Sequence, residues 1–153
     1  MSTANSGPSY AAGPTDVPLI EQTIGDFFDA MAARQPQREA LICRHEGKRY
    51  TYLELQAEAS RLASALLATG LAPGDRVGIW SHNNSAWVLM QLATAKAGLI
   101  LVNINPAYRL TEVEYVLNKV GCKALITATR FKTSDYIGMI NTLAPELPIA
   151  RPG

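Results

Sequence analysis

GLAPGDRVGIWSHNNSAWVLMQLATAKAGLILV, residues 70–102, is the stretch that decides the fold class. It holds two short apolar runs, Val77 to Trp80 and Leu99 to Val102, with a helical pattern between them that ends at Lys96. Pro73-Gly74-Asp75 makes a turn before the first run, Asn84 or Ser85 can cap the helix, and Gly98 can close it. Neither run alternates apolar with polar residues. Continuous apolar runs joined by a helix are the mark of parallel strands covered on both faces, joined by a right-handed crossover.

Downstream, Asn103 to Leu110 reads as a loop containing Pro106. Thr111 and Glu114 have capping-box spacing for a helix that Gly121 ends, and Ala124 to Ala128 is a third apolar strand. A last helix is expected near Ser134 to Leu143. Upstream, Thr51 and Glu54 form another capping box. It opens a long helix with Leu55, Ala59, Leu62, Ala63, Leu66 and Leu67 on one face, terminated at Gly70. Glu39 to Arg44 and Lys48 to Tyr52 make a hairpin around His45, Glu46 and Gly47. Thr23 can cap an amphipathic helix that stops before Pro36. The result is an α/β chain with a partly parallel, Rossmann-like sheet and helices on both faces. With only three parallel strands and a hairpin, that sheet is thin and its edges lack cover.

Composition narrows the function classes. Fourteen Lys plus Arg against thirteen Asp plus Glu leave a net charge of +1, which excludes a field able to hold nucleic acid. Two cysteines, Cys43 and Cys122, can build neither a disulfide scaffold nor a four-thiolate zinc site, and both are expected as reduced, packed thiols without a partner histidine. Ala86 to Val102 is broken by Gln91, Lys96 and Gly98, so no membrane span is expected. Residues 1–18, small and polar, read as a disordered tail, and the first basic residue is Arg34, so no leader is expected and the cytoplasm is the expected location.

The phosphate-cradling signatures are absent. Gly47-Lys48 is followed by Arg49, with no glycine at the spacing a phosphate loop requires, and Gly74 and Gly78 do not make a dinucleotide fingerprint. His82 has a functional case, because the loop Ser81 to Asn84 follows a parallel strand at the end where open α/β sheets bind ligands. No second histidine or nucleophile accompanies it in sequence, so a solvated or capping role is preferred. His45 reads as a hairpin-turn residue, and Asp75 and Arg76 as local turn or ion-pair residues. Glu112 and Glu114, two apart on a helix, point away from each other and read as capping and solvated groups. Phe27, Phe28, Trp87 and Tyr115 read as core.

The ordered series nonetheless has a specific likeness. It runs Thr51-Tyr52-x-Glu54-Leu55, then Gly70-Leu71-x-Pro73-Gly74-Asp75-Arg76-Val77-Gly78-Ile79, then Asn83 before Trp87. Leu92-Ala93-x-Ala95-Lys96-Ala97-Gly98, Val102-Asn103-x-Asn105-Pro106-x-Tyr108-Arg109 and Glu112-x-Glu114-Tyr115-x-Leu117 follow. From Thr23 to about Leu147 this resembles the fatty-acyl-CoA ligases of the adenylate-forming, AMP-binding superfamily; Ala86 departs from a glutamate frequent there. The resemblance implies the first part of a larger enzyme that joins a carboxylate to coenzyme A with ATP and Mg, releasing AMP and pyrophosphate. It implies that residues 19–147 are a first α/β subdomain and 148–153 a truncated end. The family's phosphate loop and adenylation lysine match no position here, so the chain alone is expected to be inactive, with no catalytic, cofactor-binding or metal residue and no bound cofactor. Its expected partner is the remainder of the synthetase or a full-length relative. The alternatives are a small stand-alone module binding a nucleotide or acyl group around His82, Asn83, Asn103 and Asn105, or a docking and regulatory protein.

Overall fold

The computed structural model describes residues 13–14 and 16–150; most of the expected tail, residues 1–12 and 15, and the last three residues of the expected truncated end lie outside them. Helix α1, Ile24–Arg34, starts where Thr23 Oγ1 accepts the amide of Asp26 at 3.1 Å. An antiparallel hairpin follows, β1 (Glu39–Cys43) and β2 (Lys48–Thr51), joined by a single 3-10 turn, Arg44–Glu46, and by Gly47 in the left-handed region. The Thr51–Glu54 capping box forms in both directions and opens α2, Tyr52–Ala68.

The parallel sheet is built from β3 (Arg76–Trp80), β4 (Ile100–Ile104) and β5 (Ala124–Thr127), in the order β4-β3-β5. Helix α3, Ser85–Ala97, makes the first crossover and α4, Leu110–Val120, the second. Strand β3 is central, which explains its burial: Val77 and Ile79 face a core with Ala63, Leu66, Met90 and Ala93 from α2 and α3. Trp80 faces the other way, with Ile104, Val113 and Tyr136.

The expected cover on both faces is realised fully only in β3. Strands β4 and β5 are the edges of the sheet, and Ile100 in β4 is 46% exposed. Three other expectations are corrected. Strand β4 runs on to Ile104 into the expected loop. Helix α4 begins two residues earlier than the Thr111–Glu114 reading requires, and Glu112, not Glu114, reaches back to accept the amide of Arg109 at 3.0 Å. A miniature hairpin, β6 (Arg130–Phe131) with β7 (Ser134–Asp135), precedes the last helix, so α5 spans Tyr136–Leu143 with Asp135 as its cap.

The turn entering β3 carries a pH-sensitive bond. One oxygen of Asp75 accepts the amide of Ala72 at 2.9 Å and the other meets Lys123 at 2.7 Å. Lys123 first, and the Ala72 amide second, hold this carboxyl below its ordinary 3.8. A carboxyl depressed on folding contributes stability that is complete above its unfolded value and is lost as the pH falls through the folded one. Denaturant midpoints compared between wild type and Asp75→Asn should therefore differ most near neutrality, with the gap closing on acidification below 3.8. A gap that widens in acid would contradict this.

Candidate functional site

The C-terminal ends of β3 and β4 open onto a pocket of about 530 Å3 lined by His45, His82, Asn83, Pro106 and Phe131. After β3 the chain turns through Ser81, whose carbonyl accepts the Trp87 indole N–H at 2.9 Å and whose hydroxyl accepts from Asn84 at 2.8 Å. Asn84 in turn accepts the amide of Trp87 at 3.2 Å and so caps α3. After β4, the indole of Trp80 donates to the carbonyl of Asn105 at 3.1 Å and the hydroxyl of Tyr136 to that of Pro106 at 2.9 Å. Two buried aromatic donors thus hold the Pro106 wall in place.

Within the pocket the rings of His82 and Phe131 lie stacked, 4.6 Å apart and 10° from parallel. The ring of His45 stands 6.1 Å from that of His82. The Nδ1 atom of His82 is buried and has no hydrogen-bond partner, which is uncommon for a buried polar atom. Behind His45, the hairpin turn is tied to the start of α3. Glu46 Oε2 accepts the amide of Ser85 at 2.6 Å, Oε1 meets Lys48 Nζ at 3.1 Å, and Lys48 also donates to the Ser85 hydroxyl at 3.2 Å. A carboxylate at a helix N-terminus is favoured by the free amides there. Hydrogen bonding from the Cys43 thiol, then from the Ser85 amide, lowers the Glu46 carboxyl to about 2. The same contact with Glu46, then burial, pushes the Cys43 thiol up.

Of the residues grouped in the stand-alone reading, the structure brings His82 and Asn83 together in this pocket but not Asn103 or Asn105. Asn103 is exposed, and Asn105 spends its side-chain oxygen on the amide of Ala107 at 2.9 Å. His45 is more than a turn residue, since it faces His82 across the cavity. Cys43 was expected to lack a partner histidine, yet its Sγ lies 3.7 Å from His45 Nδ1. That relation arises because the 3-10 turn folds His45 back over the end of β1, which no periodicity announces. Phe131 went unnoticed for a similar reason, lying in a two-residue strand. Cys122 is partly buried beside the central strand, and burial raises its thiol. Asp75 fills the turn role expected of it, while the capping role expected of Glu114 falls to Glu112.

The lining offers imidazole, amide and aromatic surface, but no cation to meet a triphosphate and no pair of free carboxylates. ATP and Mg do not fit it. Among the described residues no helix is long and apolar enough to cross a membrane.

Residues 28–150 match the family described as AMP-binding enzyme. The chain is 50% identical over 147 residues to the mitochondrial medium-chain acyl-CoA ligase of Rattus norvegicus, covering 96% of this chain and 24% of the relative. It is 49% identical over 153 residues to the ligase of the same name from Homo sapiens, covering all of this chain and 25% of that one. The chain thus spans about a quarter of the length of the curated relatives it matches. Both are named as mitochondrial, so they lend no support to the cytoplasmic location expected from sequence. Among solved structures, a Mycobacterium tuberculosis fatty acyl CoA synthetase superposes with a TM-score of 0.72 at 28% identity, over 78% of this chain and 23% of that one. The N-terminal subdomain of NpsA from Klebsiella oxytoca, solved with 3-hydroxybenzoyl-AMSN, gives 0.65 at 31% identity over 70% of this chain and 26% of that one.

Proposed function

The chain belongs to the AMP-binding enzyme family, and on that footing we propose that it is the amino-terminal part of an ATP-dependent synthetase acting on medium-chain fatty acids. The observation that carries this reading is identity of about one half to a medium-chain acyl-CoA ligase across 96% of the chain. In the proposed reaction the carboxylate of the acid attacks the α-phosphate of ATP, forming an acyl-adenylate and expelling pyrophosphate. The thiol of coenzyme A then attacks the acyl carbon, a thioester forms and AMP leaves. Residues 19–147 supply scaffold, a first α/β subdomain against which the rest of the enzyme packs. None of them is placed in the chemistry.

The purified chain, cleared of host synthetases, should release no pyrophosphate in response to a medium-chain carboxylate, whereas a protein carrying it as its first quarter should do so and prefer medium chains. Turnover by the chain alone that disappears in His82→Ala would defeat the proposal. A second reading, a small binding module, is favoured only by the pocket at the strand ends. Titration of the chain with AMP and with acyl-CoA, read out by perturbation of the His45 and His82 resonances, separates the two: saturable binding supports the module, and none supports the scaffold.

A further inference from the structure

We propose that Cys43, His45 and Glu46 form a binding site for a divalent metal ion of the zinc type, its fourth position opening into the pocket shared by His45 and His82. One ligand atom from each of the three residues lies within 4.8 Å of the others. The thiol sulfur stands 3.7 Å from His45 Nδ1 and 3.8 Å from Nε2. Zinc bonds of about 2.3 Å to sulfur and 2.0–2.1 Å to nitrogen, at a tetrahedral angle, separate the two donors by about 3.6 Å. The spacing needs almost no adjustment, only a turn of the exposed imidazole to aim a lone pair.

The surroundings are those of a held ligand set. Glu46 is fixed by the Ser85 amide at 2.6 Å and by Lys48 at 3.1 Å, leaving other lone pairs on its carboxylate free for an ion. Such outer partners orient a ligating carboxylate. All three ligands sit at the end of β1 and in the tight turn that Gly47 closes, so the chain brings them together with little freedom to lose. Binding as thiolate and carboxylate, Cys43 and Glu46 supply two negative charges against the one positive charge of Lys48, and the metal displaces the thiol proton. A thiolate and an imidazole select zinc or cobalt over magnesium or calcium.

The second observation is the buried, partnerless Nδ1 of His82, whose ring stands 6.1 Å from that of His45 in the same pocket. A water held at the fourth position would give that nitrogen the hydrogen bond it lacks. The site is independent of the activity proposed above, because it needs no residue outside this chain.

Cobalt(II) chloride titrated into the reduced chain reads the site directly. The expected result is a thiolate-to-cobalt charge-transfer band, with the strong visible bands of a four-coordinate ion, saturating at one equivalent and erased by zinc. Cys43→Ser should remove the charge-transfer band, His45→Gln should weaken binding at least about tenfold, and Cys122→Ser should leave the spectrum unchanged. His45 is exposed, so His45→Gln does not endanger the fold and decides the matter if Cys43→Ser misfolds. No charge-transfer band in the wild type, an undiminished band in folded Cys43→Ser, or affinity for cobalt within about threefold of wild type in His45→Gln would each overturn the proposal.

Discussion

Trp80→Ala is expected to lower the free energy of unfolding by about 3–5 kcal/mol, the range for deleting a large buried aromatic. Trp80 is fully buried, its ring centroid lies 4.4 Å from that of Tyr136, and its indole N–H is bonded to the Asn105 carbonyl. Truncation leaves a cavity at the end of the central strand and strips a donor from the loop that forms one pocket wall. A domain is stable by only about 5–15 kcal/mol, so the loss is a large share of the total, and the urea midpoint followed by far-ultraviolet circular dichroism should fall steeply. Trp80→Phe keeps most of the packing and loses the hydrogen bond, worth about 0.5–1.5 kcal/mol net. An Ala variant as stable as wild type would mean that the packing between β3 and α5 carries no weight.

Gly78→Val should also destabilise, by less, and here two principles oppose each other. Valine favours strands over glycine, but the whole propensity scale spans about 1 kcal/mol. A Cβ at Gly78 would meet Leu125 Cδ1 at 3.0 Å, Ile104 Cδ1 at 3.1 Å and Cys122 Sγ at 3.4 Å. Neighbours on three sides, two of them on paired strands, cannot all retreat, and overpacking costs about 1–3 kcal/mol. Packing wins, and thermal unfolding of Gly78→Ala and Gly78→Val should show losses that grow with side-chain size. Stabilisation by either would show that the sheet can spread at its open edges. Cys122→Ala made together with Gly78→Ala should recover part of the loss, since it frees one of the three directions.

Much of this fold was legible because its signals are local. Thr23, Thr51, Asn84 and Gly98 mark helix ends through bonds to residues within four positions, and the apolar run from Val77 to Trp80 needs only its own neighbours to be read. Strand order was not legible. Nothing in the text of β4 says that it lies at an edge, so its exposure at Ile100 came as a difference. The candidate site shows the same divide more sharply. His82 and Asn83 follow from the rule that ligands meet parallel strands at their C-terminal ends. His45, Phe131 and the tie from Glu46 to Ser85 depend on where a turn and a two-residue strand come to rest, and residues that far apart carry no common pattern.

The position of β3 at the centre of the sheet also sets a timetable for synthesis. Its two pairing partners, β4 and β5, both come later in the chain, so the most deeply buried strand leaves the ribosome before either neighbour exists. Until β4 and then β5 follow, Val77 and Ile79 have only α2 and then α3 to shelter against, and those helices serve one face alone. The Trp80 face must wait for α4 and α5. Nascent chains stalled after Val120 should therefore be held by chaperones that bind exposed apolar segments, and chains stalled with α5 fully emerged should be released.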